Sequence, residues 1–185
     1  MAKKKTIQLK DVPMPRRFLS YLIDWYVGAL CTAFPIAVIS QKLYGTMLKQ
    51  NILEFPSPYG AIGGIVGIIC AFVYFVIVPM YIYPGQTLGK HICKVKIVQD
   101  NGEDIQMGHL LLRQILGMFV VEGALVSAST LWHQLATLCF GFNFVTPLMY
   151  AGLVVGIISA LLVVFTGSHK AVHDYIGKTK VVMSE

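Results

Sequence analysis

Long apolar runs alternate along this chain with short polar, lysine-rich ones. The apolar runs at 18–39, 61–83, 109–131 and 146–165 each approach the ~20 residues that a helix needs to cross a hydrocarbon core about 30 Å thick. Runs 61–83 and 146–165 hold no charged residue, whereas 18–39 holds Asp24 and 109–131 holds Arg113 and Glu122. The pattern predicts an all-α integral membrane protein of about four transmembrane helices. A second rhythm appears in the connectors. Lys94 to Val98 (KVKIV) and Lys178 to Val182 (KTKVV) alternate polar and apolar residues, as strands do. Asp100-Asn101-Gly102 is a turn signal. The two segments are expected to pair as a small cytosolic β patch.

Glycine spacing bears on how the spans pack. Gly60/Gly64 and Gly63/Gly67 are GxxxG pairs, and Gly152, Gly156 and Ala160 repeat every four residues. Small residues at that spacing let backbones approach closely in lipid. They serve either contacts within one chain or a homo-oligomer face.

Composition sharpens this picture. Hydrophobic residues make up 56% of the 185 residues and charged residues 13%, about half the usual charged share of a globular chain. The chain divides into a basic N-terminal arm, 1–15, and one transmembrane domain, 16–183. Run 18–39 is expected to be a span rather than a secretory leader. It is too long for a leader's apolar core, carries Asp24, and is followed by no small-residue cleavage site. Lys3, Lys4, Lys5, Lys10, Arg16 and Arg17 precede the first span. Lys90, Lys94 and Lys96 lie between the second and third, and Lys170, Lys178 and Lys180 follow the fourth. The other connectors carry only Lys42 and Lys49. Positive residues mark the cytoplasmic side, so both termini are expected in the cytosol and the protein in the cell membrane. The formal net charge of +6 then faces anionic lipid at the cytosolic surface, and nucleic acid is excluded as a partner for want of a soluble basic domain. Cys31, Cys70, Cys93 and Cys139 have no metal-type spacing and read as small apolar fillers.

Charge at mid-membrane costs about 2.5–3.5 kcal/mol per residue on insertion scales and persists where it is paired, wet or functional. On the first span, Arg17, Tyr21, Asp24, Gly28, Thr32 and Pro35 share one helical face. On the third, Gln106, His109, Arg113, Gly117, Ala124 and Ser127 form a comparable stripe. Arg113 at a depth similar to Asp24 points to an Asp24–Arg113 ion pair, either fixing helix register or serving transport. Glu122 falls on the opposite face, nearer the external side with Ser129 and His133, and has no evident partner.

Three segments carry a family likeness when taken together: Arg17 to Asp24 (RFLSYLID), Gly85 to Lys90 (GQTLGK) running on to Arg113, and His173 to Val182 (HDYIGKTKVV). In this order and hydrophobic setting the chain, from about 12 to 183, resembles the RDD family of small membrane proteins. That family is named for an arginine and an aspartate in its first span and a second aspartate, positions matched by Arg17, Asp24 and Asp174. One departure is Thr87-Leu88-Gly89-Lys90, where the family usually has threonine-proline-glycine-lysine. The resemblance implies the same topology and two kinds of function: cation/proton antiport, or membership of a larger membrane assembly.

Arg17, Asp24, Lys90, Arg113, His173 and Asp174 are all expected near the cytosolic membrane face. They form either a proton-coupled ion site or a polar latch that holds loop and tail to the helices. A histidine's ordinary titration near neutrality would suit pH gating at His173. GQTLGK is one residue short of a phosphate loop and has His91 where Ser or Thr belongs. No HExxH, GxSxG or metal-ligand set occurs, so neither an enzyme, a cofactor nor a bound metal is expected. Two functions remain: an oligomeric cation/proton antiporter or small-solute transporter handling Na+, K+ or H+, with Asp24, Glu122, Arg113, Arg17 and Asp174 as coupling residues, or a scaffold subunit of a larger membrane complex.

Overall fold

The computed structural model describes residues 10–123 and 126–184. Helix α1, Met14–Tyr44, opens with proline in its first turn, where a missing N–H costs nothing. It stops at Gly45, whose φ of 71° suits glycine. Helix α2, Tyr59–Phe72, runs on through wide π-helical turns at Val73–Ile82 that include Pro79. A short helix α3, Leu88–Ile92, leads to strand β1, Val95–Gln99. Helix α4, Met107–Leu111, likewise continues in π-helical turns, Leu112–Val121. Helices α5, Ser127–Phe140, and α6, Val145–Phe165, follow, then α7, Val172–Gly177, and strand β2, Thr179–Met183.

Among the described residues three helices are long and apolar enough to cross a membrane: Met14–Tyr44, Tyr59–Ile82 and Val145–Phe165. They contain the expected spans at 18–39 and 146–165 and nearly all of 61–83. The expected third span, 109–131, differs. It is split between the shorter apolar helix Met107–Val121 and α5. The break falls where Glu122 turns its carboxylate to other polar groups and Gly123, a weak helix former, follows. Val126 is extended, and the helix resumes after it. Ala124, expected on that span's polar stripe, lies outside the described residues, as do Lys3, Lys4 and Lys5.

The expected strands pair antiparallel, with Ile97 opposite Val181 and Val98 opposite Lys180. An isolated two-stranded ribbon is marginal in water. This one is held from both sides: Val95 and Val181 pack with Val12 and Ile23, and Ile97 packs with Val76, Ile105 and Leu110. The arm joins it too, since Lys10 O accepts from the Met183 N–H at 3.1 Å. Exposed aromatic residues Tyr21, Trp25, Tyr26 and Tyr81 flank this end of the bundle, as interfacial belts do.

The α2 glycines are spent inside the chain. A Cβ on Gly64 would lie 2.6 Å from Leu135 and 2.8 Å from Ile52, and one on Gly67 would lie 2.6 Å from Leu131. Helix α6 is different, for it buries only Gly152 and Ser159 and exposes Leu153, Val154, Ile157, Ile158 and Leu161. Gly67→Leu should therefore force α1, α2 and α5 apart. Overpacking of this kind costs about 1–3 kcal/mol and is read as a lowered Tm in detergent. Gly167→Ala, where a Cβ meets nothing within 4 Å, should leave Tm unchanged.

Candidate functional site

The buried stripe of α1 is Ser20, Asp24, Gly28, Thr32, Ile36 and Ser40. It keeps Asp24, Gly28 and Thr32 of the expected polar face, while Tyr21 turns outward. Asp24 is 3% exposed and accepts four hydrogen bonds. The donors are Tyr74 Oη at 2.7 Å, the Gly89 N–H at 2.9 Å, Thr87 Oγ1 at 2.5 Å and Lys90 Nζ at 2.7 Å. The GQTLGK segment thus binds a carboxylate of its own chain. Gly89 permits the approach, because a Cβ there would sit 2.5 Å from Ser20 O and 2.8 Å from Asp24 Oδ1. Thr87 directly precedes α3, its hydroxyl given to Asp24 rather than to the helix, and Leu88 is the first helical residue, the position where proline is tolerated best. Leucine in place of the family's proline therefore leaves the turn intact.

The expected Asp24–Arg113 pair does not form. Lys90 is the cation on Asp24, and Arg113 pairs with Asp174. The reason is α7, which lies against the π-helical continuation of α4 so closely that a Gly177 Cβ would be 2.7 Å from Arg113 Cβ. His109 Nδ1 also meets Gly177 O at 2.8 Å. Asp174 is completely buried and takes Arg113 Nη1 on one oxygen. Its other oxygen takes Arg17 Nη2 at 2.8 Å and the Ala171 N–H at 2.9 Å. Burial alone would raise the Asp174 pKa, but Arg113, His173 and Arg17 together hold it well below the usual carboxylate range.

Glu122 also departs from expectation. It was expected to have no evident partner, but it meets the segment that follows α6. Its Oε2 lies 2.7 Å from His173 Nδ1. Its Oε1 accepts from the His173 N–H at 2.9 Å and from Ser159 Oγ at 2.6 Å. His173 Nε2 is 3.9 Å from Asp174 Oδ2, so the imidazole bridges two carboxylates. Gly117 makes room, since its Cβ would collide with His173 Cβ at 2.7 Å. A cavity of about 400 Å³ lies between α1 and α6, and Arg17, Asp24, Lys90, Arg113, Glu122 and His173 line it. Among the described residues no group of three or more His, Cys, Asp or Glu side chains is placed to hold a metal ion.

The model of the RDD family matches residues 12–178. The chain belongs to the RDD family. No curated protein and no solved structure matches it. The three residues matched to the family's name play two parts here. Arg17 and Asp174 pair with each other, and Asp24 holds the α3 turn. Tyr74, Thr87 and Ser159 complete these contacts and were not singled out from sequence. Tyr74 is hidden among the aromatics of an uncharged span, whereas Ser159, a hydroxyl in an otherwise apolar run, was a usable signal.

Asp174→Asn should leave two arginines against a neutral group. Breaking a buried ion pair from one side costs about 3–5 kcal/mol, so amide exchange at 179–183 should accelerate strongly. A depressed carboxylate pKa adds stability that is fully present above the unfolded value of about 3.9 and lost as pH falls through the folded value. Acidification should therefore weaken the hold on the wild-type tail progressively, beginning below about pH 4 and reaching completion only well below it, and Asp174→Asn should lack that acid transition.

Proposed function

We propose that this RDD protein exchanges a monovalent cation, Na+ or K+, for H+ at the Glu122–His173 pair. The observation that carries the reading is a carboxylate–imidazole pair on the wall of a cavity in a membrane-spanning bundle. When His173 is protonated, the imidazolium neutralises Glu122. When it releases its proton, the carboxylate is left to a cation of the same charge. Proton and cation thus compete for one negative charge, which is the requirement of one-for-one exchange. Burial favours this pair over the other carboxylates. The side chains of His173 and Glu122 are 12% and 14% exposed, against 5% for Asp24 and none for Asp174. Asp24 and Asp174 act as anchors in this reading rather than as coupling residues. No catalysis is part of it. The lysine asymmetry supports a cell-membrane protein with both termini cytosolic. Few spans argue for a homo-oligomer, because alternating access usually sets two repeats against each other. The unpacked face of α6 is the surface open to a second copy.

One observation favours the second reading, a scaffold subunit of a larger membrane complex. Asp24, Asp174 and Glu122 all tie loop or tail to the helices, as a rigid docking end would require.

Sealed proteoliposomes decide between them. Addition of NaCl or KCl should move protons in the wild type. Glu122→Gln should abolish the movement. Asp24→Asn should chiefly lower the amount of folded protein. If the wild type matches empty liposomes across salts and pH, exchange is excluded and co-purification for a partner becomes the next experiment.

A further inference from the structure

The cavity has a second character beside its charged wall. Phe18, Trp25 and Val164 line it, yet they are 67%, 45% and 55% exposed at the surface of the bundle. Residues that line a cavity and also face outward form its mouth, so this cavity opens sideways between α1 and α6. In a membrane protein that direction leads into the bilayer. The mouth lies beside Tyr21, Trp25 and Tyr26, the aromatic residues that mark the interfacial layer, where lipid phosphates sit. Deeper in, Arg113 is 4% exposed, and among the described residues its Nε has no hydrogen-bond partner. A buried donor left unpaired costs about 1–3 kcal/mol, more when charged, so an acceptor belongs there. Arg17 gives Nη2 to Asp174, and a guanidinium carries five N–H donors.

We infer that the cavity takes an anionic phospholipid from the surrounding leaflet, with its phosphate at Arg113 and Arg17 and an acyl chain leaving past Phe18, Trp25 and Val164. Arginine suits phosphate because its fork of donors matches the oxygens, and basic pockets between transmembrane helices are a recurring site for acidic head groups. Arg17 and Arg113 share the single carboxylate of Asp174, and that local excess of positive charge disfavours a head group that carries its own ammonium. The apolar mouth disfavours free phosphate, which gains nothing from it. A volume of about 400 Å³ falls within the range of small-ligand sites. It holds a head group and the start of a chain, the remainder staying in the bilayer. The site stands whether or not the protein exchanges cations.

Trp25 on the wall is a built-in reporter, and Trp132 is the second of the chain's two tryptophans. The test uses the full-length Trp132→Phe protein in phosphatidylcholine vesicles, with a rising fraction of phosphatidylglycerol brominated in its chains. Quenching of Trp25 should saturate, with about tenfold preference over equally brominated phosphatidylcholine, equivalent to about 1.4 kcal/mol. Ala160→Phe fills the cavity from α6 without moving a charge and should erase the preference. Arg113→Gln should erase it as well, but it also cuts the Asp174 pair, so Ala160→Phe is the deciding variant. Millimolar inorganic phosphate should not compete. Equal quenching by both lipids, a preference that survives Ala160→Phe, or displacement by inorganic phosphate would each overturn the inference. Selective quenching without salt-driven proton movement would keep the lipid site and sink the exchange reading. Proton movement without selective quenching would do the reverse.

Discussion

A carboxylate with no exposed surface, Asp174, dictates the layout of one whole end of this protein. A buried ion needs partners that satisfy its charge and its lone pairs together, or desolvation exceeds the attraction. Asp174 meets that demand with two arginines from two helices and a backbone N–H of its own turn. Those contacts fix three positions at once. Arg17 sets the start of α1, Arg113 sets the rotation of α4, and α7 must lie across both. Strand β2 begins two residues after α7 ends, so its pairing with β1 follows from the same arrangement.

Charge alone does not bring these elements close enough. Three residues of the ionic contacts, Asp24, His173 and Arg113, each stand beside a glycine at which a methyl group would collide. Gly89 lies under Asp24, Gly117 under His173 and Gly177 against Arg113. The pairs and the glycines form one device. Without the glycines the partners would be held apart by a side chain's width, and in a low-dielectric setting an ion pair stretched apart loses attraction while both ions stay desolvated. Most of these glycines lie in or beside the family-like segments, which is why short motifs of ordinary composition specify so much geometry.

Much of the fold was legible because lipid imposes simple rules. Uncharged runs of spanning length became the helices Tyr59–Ile82 and Val145–Phe165, and alternation in KVKIV and KTKVV became a paired ribbon. The third span was legible only in part. Its hydropathy continues through Glu122, and nothing in the run announces that a tail residue from beyond α6 returns to bind that carboxylate. The same blindness misplaced the ion pairs. Periodicity says which residues share a face of one helix, but the choice between Lys90 and Arg113 as the partner of Asp24 depends on how α3 and α7 dock. Those are helices of five and six residues with no periodic signal of their own.

Asp24, Asp174 and Glu122 are not equivalent, and the difference is one of saturation rather than of charge. Asp24 has two oxygens filled by four donors, among them the ammonium of Lys90 and two hydroxyls that have few alternatives in an apolar bundle. Asp174 is shared between two guanidinium groups that cannot lose a proton under physiological conditions. Either site must come apart before it can take up a new ion. Glu122 is held by a hydroxyl, one backbone N–H and an imidazole, and an imidazole, unlike a guanidinium, has a neutral form. Discharge removes a positive charge while the hydroxyl and the N–H still orient the carboxylate, so the site can change occupant without losing shape. A membrane protein that needs both a rigid end and one exchangeable charge can therefore build both from the same residue types. Here the distinction rests on the partner, arginine or lysine where the contact is permanent and histidine where it can open.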